Sequence, residues 1–241
     1  MAEQDLAGIF IIIIYYSAVV GGNILLGFVP GYPPEIVRKS YHILGSISIF
    51  LFLYVFETWY VSAATAAVIF FPGSYLSYVL RQIPWIKRKF FDKIPRESQI
   101  PRQLFYAGIV FSGLIALFWG GLGPGWKYHV ATGIVVWGVG DAAAALLGKR
   151  YGKRNLPQPP FDEGKSLEGF LAFIVTSWVS LALTWHFMTD ISPGVLWAGS
   201  FALSLAGGVV EALTKKGLDT ITIPLTVSFL SALMALVGLQ G

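Results

Sequence analysis

One carboxylate in this sequence stands where a carboxylate is expensive. In WGVGDAAAALLGKRYGKRNLPQPPFDEGKSLEGF, which begins at Trp137, Asp141 follows Val135, Val136, Trp137 and Val139 and precedes four alanines and two leucines. A carboxylate at the centre of a membrane helix costs roughly 2.5 to 3.5 kcal/mol on insertion scales, so it faces a cavity, a metal or a partner charge. Ala145 and Gly148 share its helical stripe and leave room for another helix or a ligand. The cations Lys149, Arg150, Lys153 and Arg154 then alternate with Gly148 and Gly152, and Lys165, Ser166 and Glu168 open the next apolar run. Glu211, Lys215 and Asp219 follow further on, and Arg38, Lys39 and His42 stand near the start. Arg38 and His42 are one helical turn apart and share a face.

These residue types suit a nucleoside triphosphate with its divalent ion. Phosphates need several cations, and magnesium binds through one or two carboxylates plus phosphate oxygens. Phosphoryl transfer is mostly positioning and charge stabilisation, so it asks for a metal carboxylate, cationic clamps and a docked acceptor hydroxyl. Each group also has a plain structural reading. Asp141 could pair with Lys165 or Arg38, and Ser166 with Glu168 could be only a helix start. Glu211 could pair with Lys215 within one helix. The basic loop could serve topology and anionic lipids, and Arg38, Lys39 and His42 could be an interfacial anchor.

The elements that must hold these residues are membrane helices. The 241 residues are 55% apolar and only 12% charged, with a mean hydropathy of +0.67. A crossing needs about 20 helical residues, and eight stretches qualify: Leu6 to Phe28, Ser40 to Phe56, Tyr60 to Leu80, Leu104 to Leu122, Tyr128 to Gly148, Ser166 to Phe187, Gly194 to Thr214 and Ile221 to Leu239. The expected fold is all-α and polytopic, with residues 1–241 forming a single transmembrane domain. With eight crossings, Lys127 is the one Lys or Arg on the N-terminal side, and the other sixteen fall on the opposite side. The positive-inside rule then places the odd-numbered loops in the cytoplasm and both termini across the membrane.

Composition also excludes. Glu3 and Asp5 precede the first span in place of a cationic n-region, which argues against a secretory signal. The absence of cysteine excludes disulfides, thiolate metal sites and cysteine nucleophiles. The net charge of +4 reads as topology, with no nucleic-acid partner. Gly-Lys-Ser at Gly164 to Ser166 is no Walker loop, because Pro159 stands where its first glycine belongs. The G-x-G-x-x-A run at Gly138, Gly140 and Ala143 lies inside an apolar span and so is not a dinucleotide turn. His129 and His186 fall at the outer ends of their spans and read as interfacial. Arg81 to Arg102 interleaves Trp85, Phe90 and Phe91 with seven cations, as a segment on an anionic leaflet would. Asn23 is polar within span one and has no partner assignable from sequence.

From Glu35 onward the chain resembles the CTP-dependent lipid-alcohol kinases, the family of phytol kinase, dolichol kinase and the yeast-type diacylglycerol kinase. Glu35, Arg38, Lys39 and His42 look like the family's E-x-x-R-K-x-x-H. GDAAAALLGKRYGKRNLP with GKSLEGFLAF is similar to its G-D-x-x-A-x-x-x-G-x-x-x-G and K-S-x-E-G elements. EALTKKGLDTITIPL resembles its E…L-D-N-L-x-I-P-L segment, with Thr220 where Asn is usual. Threonine lacks the two amide donors of asparagine.

The resemblance implies CTP as donor, Mg2+ as cofactor and a bilayer lipid alcohol as acceptor: phytol, geranylgeraniol, a polyprenol, dolichol or diacylglycerol. On that reading Asp141 is a magnesium ligand or the base that takes the hydroxyl proton. Glu168, Glu211 and Asp219 join it as metal ligands. Lys149, Arg150, Lys153 and Arg154 clamp the triphosphate, with Gly148 and Gly152 admitting phosphate close to the backbone. Lys165, Ser166, Arg38, Lys39 and His42 complete the nucleotide contacts. A cytidylyltransferase that makes a CDP-lipid would need the same nucleotide, metal and bilayer access. An ion-coupled transporter is the rival from another class, but it would need polar residues in the outer halves of the spans, which are almost bare of charge.

Overall fold

The computed structural model describes residues 3–27, 29, 31–92, 94, 96–162, 164–215 and 217–238. The expected span ends Phe28 and Leu239 and the cations Lys93 and Lys216 lie outside the described residues, as does Glu163. Among the described residues, eight helices are long and apolar enough to cross a membrane: α1 Glu3–Leu26, α2 Pro34–Tyr54, α3 Trp59–Leu80, α4 Ile100–Gly121, α5 Pro124–Tyr151, α6 Leu167–Met188, α7 Pro193–Leu213 and α8 Asp219–Leu236. Among the described residues there is no strand beyond an isolated antiparallel bridge between Asn155 and Ser166. In lipid each backbone group must find its partner inside the segment, which leaves the helix as the form these runs can take. Several serines and threonines obey the same rule. Thr65, Thr132, Ser177 and Thr184 each donate to the carbonyl four residues back.

Seven of the helices start within about four residues of the sequence expectation. Helix α2 departs furthest, opening at Pro34 where the apolar pattern begins only at Ser40. Proline at the first helical position has its φ preset and loses no needed donor. Arg38 and Lys39 therefore lie within the helix and not in a loop. The connection after α3 is also structured. A short turn at Pro84–Ile86 runs into a π-type turn at Lys87–Phe91, and Trp85 is exposed there.

The chain divides within α4 into two compact units, Met1–Ala116 and Leu117–Gly241. In the first, α1 and α2 pack on each other and α3 packs closely on α4. Phe52 and Phe70 meet Phe111 with ring centroids 5.9 and 5.0 Å apart. Asn23 finds the partner that the sequence left open, because Ser40 of α2 donates to its Oδ1 while its amide donates to Val19 O at 2.8 Å. Asp5 is buried and accepts from Glu57 N, Thr58 N and Thr58 Oγ1, joining the start of α1 to the start of α3.

In the second unit, α5 packs against α6 and α8, and α7 against both α6 and α8. Helix α5 is the most enclosed of the eight. That enclosure corrects the reading of His129 as interfacial: the ring is fully buried, and its Nδ1 lies 2.8 Å from Ser231 Oγ of α8. Trp185 Nε1 of α6 donates to Thr132 Oγ1 of α5 at 2.8 Å. Without a hydrophobic drive between helices in lipid, such bonds and close packing hold the unit together.

Candidate active site

The site of interest belongs to the second unit, at the end where α5 and α7 finish and α6 and α8 begin. Its centre is prepared by an irregularity in α5. Residues Val136–Gly140 form a π turn immediately before Asp141, and π-bulges of this kind concentrate at functional sites. The turn as a whole packs against α6, α7 and α8. It fits because its neighbours are small: a Cβ on Gly140 would stand 2.8 Å from Phe173, and one on Gly207 would stand 2.8 Å from Val136 Cγ1.

Just past this turn Asp141 is buried, at 4% exposure. Glu211 of α7 is equally buried, and both Asp141 and Asp219 of α8 lie near enough to interact with it electrostatically. Three helices thus bring three carboxylates together. Lys165, from the turn before α6, is ion-paired with Glu211. The structural alternative for Glu211 was Lys215, four residues on in sequence; the structure supplies a partner 46 residues away instead. Thr220 is buried behind Asp219, and its N–H donates to Asp219 Oδ1 at 2.9 Å.

The basic segment is held as a small hairpin between α5 and α6. Leu156 N donates to Lys165 O at 2.9 Å, and Leu167 N donates to Arg154 O at 2.8 Å. Ser166 caps α6 by accepting from Gly169 N at 3.1 Å. Glu168 Oε2 accepts from Lys153 N at 3.1 Å and from Arg154 N at 3.3 Å, so this carboxylate fixes the backbone of the basic turn. The side chains of Lys149, Arg150, Lys153 and Arg154 are exposed. Gly148 lets α5 come close to α6, where a Cβ would lie 3.2 Å from Gly169 Cα; a Cβ on Gly152 would lie 2.3 Å from Gly148 O and 2.8 Å from Ser166 Oγ.

Among the described residues no three His, Asp or Glu side chains form a ready-made metal cage. Magnesium does not need one, since it keeps waters and binds through one or two carboxylates plus phosphate oxygens. The donor set of Asp141, Glu211 and Asp219 fits an ion that arrives with phosphate and does not fit a structural metal.

Arg38, Lys39 and His42 belong to the first unit. All three are buried in α2, where Arg38 is ion-paired with Glu35 and His42 Nδ1 lies 3.3 Å from Arg38 O. A cleft of about 340 Å³ opens at the far end of the second unit, lined by Gly125, Tyr128, Met188, Thr189, Asp190 and Ile191. It is at the other end of α5 and α6 from the carboxylates. The sequence reading missed the π turn, which leaves no compositional mark, and Asp162, whose N–H donates to Ala212 O at 3.0 Å.

No protein-family model and no solved structure matches the chain. It is similar to a phytol kinase of Synechocystis sp., at 31% identity over 233 residues, covering 93% of this chain and 88% of that protein. It is also similar to the dolichol kinase sec59 of Schizosaccharomyces pombe, at 28% identity over 103 residues, covering 43% of this chain and 19% of that protein.

Proposed function

Since this chain belongs to the lipid-alcohol kinase family of phytol kinase and dolichol kinase, we propose that it transfers the γ-phosphoryl group of CTP to an isoprenoid alcohol of the phytol type. The observation that carries the reading is the convergence of Asp141, Glu211, Asp219 and Lys165 at one end of the second unit. Magnesium, held through Glu211 and Asp219, would neutralise charge on the phosphate oxygens. Lys149, Arg150, Lys153 and Arg154 present exposed cations for the triphosphate, and Glu168 holds the turn that carries two of them.

Asp141 is the base in this reading, for a reason of depth. It lies ten residues before Tyr151, the end of α5, which is about 15 Å along a helix. A lipid hydroxyl arrives from the bilayer side and meets the deepest carboxylate. The hydroxyl oxygen attacks the γ-phosphorus, the bond from that phosphorus to the β,γ-bridging oxygen breaks, and CDP leaves; the hydroxyl proton goes to Asp141. The sixteen-to-one distribution of Lys and Arg supports a cytoplasmic position for this end of the unit.

The test supplies purified protein with magnesium, γ-labelled CTP, UTP or ATP, and a panel of lipid alcohols. Label from CTP entering phytol or a short polyprenol supports the reading. Pyrophosphate release with phosphatidate, and no labelled lipid, moves the assignment to a cytidylyltransferase.

A further inference from the structure

Asp162 lies outside every role assigned so far, yet the fold holds it firmly. Its N–H donates to Ala212 O at 3.0 Å, one residue from Glu211, and its carbonyl accepts from Lys165 N at 3.4 Å. The loop that closes the hairpin is thereby tied by main-chain bonds to the end of α7, beside the Lys165–Glu211 pair. One side-chain oxygen is left over. Asp162 Oδ2 has less than 1 Å² of exposed surface and no hydrogen-bond partner among the described residues.

A buried carboxylate oxygen needs a donor, because leaving it unpaired forfeits its hydration for nothing. Triphosphate oxygens cannot supply one: they are acceptors and repel it. In a nucleotide the N–H and O–H donors that could reach it lie in the nucleoside part. Half-buried Phe161 stands next to Asp162, so an aromatic face and a carboxylate acceptor come from adjacent positions. That pairing suits a flat base with an exocyclic amine, as carboxylates accept from cytosine N4 elsewhere.

We propose that Asp162 is a specificity-determining residue that accepts a hydrogen bond from the exocyclic amine of the nucleobase. The inference rests on the nucleotide-dependent kinase reading above and adds the feature by which CTP is told from UTP, whose carbonyl at the same position would face the carboxylate as a second acceptor.

The experiment measures kcat/KM for CTP, UTP and 2′-deoxy-CTP with one lipid alcohol, using wild type and Asp162→Asn. The bonds to Ala212 and Lys165 are main-chain, so Asn preserves them. A detergent melting curve for each protein, with Asp162→Ala as a second variant, reports folding. Expected is a loss of about tenfold with CTP and an equal or higher rate with UTP, because the Asn amide can donate to the uracil carbonyl. An equal loss with both nucleotides overturns the inference and makes Asp162 structural. A loss that appears with CTP but not with 2′-deoxy-CTP also overturns it and moves the contact to the ribose. No transfer from any nucleotide to any alcohol removes the kinase reading and this inference together.

Discussion

At the scale of residues, the polar groups at the candidate site depend on one another. Glu211 is buried among other carboxylates and Lys165 is its cation. Removing one partner of such a pair leaves an uncompensated charge, whereas removing both does not. Lys165→Gln should therefore lower stability by roughly 1–3 kcal/mol, while Lys165→Gln with Glu211→Gln should recover most of that loss; melting in detergent reads both. Additive losses in the double variant would show that the pair is not coupled. Nucleotide affinity should fall in the single and the double variant alike, since both lack the Lys165 cation. Much of this site was legible in the sequence, because Asp141, Lys165, Glu211 and Asp219 are charged residues at the margins of apolar runs. Their pairing was not legible, because Lys215 is the nearer cation in sequence and Lys165 the nearer in space. Asp162 was lost among loop residues, and what singles it out is a property of one atom's surroundings. The burial of His129 was not legible, because distance from the end of a span does not report how enclosed that helix is.

At the scale of elements, the eight apolar runs are met by eight helices among the described residues, each long and apolar enough to cross a membrane. What the pattern hid was local. Arg38 and Lys39 masked the first turns of α2, and nothing in VWGVG announces a π turn. The turn depends on the missing side chain at Gly140, where a Cβ would meet Phe173 at 2.8 Å. Gly140→Ala should cost about 1–3 kcal/mol as overpacking and should lower kcat, since the register of Asp141 is set one residue later. Gly140→Ala with Phe173→Leu should restore stability by making room. Unchanged melting temperature and turnover in Gly140→Ala would remove the π turn from the account. Gly148 shows how one residue admits two readings: the sequence offers it to phosphate, and a Cβ there would also crowd Gly169 of α6.

At the scale of the molecule, the similarity to the phytol kinase extends over 93% of the chain and so includes both units. The charge distribution makes a further prediction about orientation. The chain has no cysteine, so a single introduced thiol is unambiguous. Lys153→Cys should react with an impermeant maleimide only after inside-out vesicles are made, and Lys127→Cys only in right-side-out ones. The reverse pattern would place the candidate site on the wrong face for a cytoplasmic nucleotide. The most direct test compares wild type with Asp141→Asn in one assay, with phytol, magnesium and γ-labelled CTP, after both proteins are shown to melt alike. The account predicts labelled phytyl phosphate from wild type and a loss of about 10² to 10⁴-fold in the variant, the range for removing a general base. Equal rates in the two proteins would contradict it.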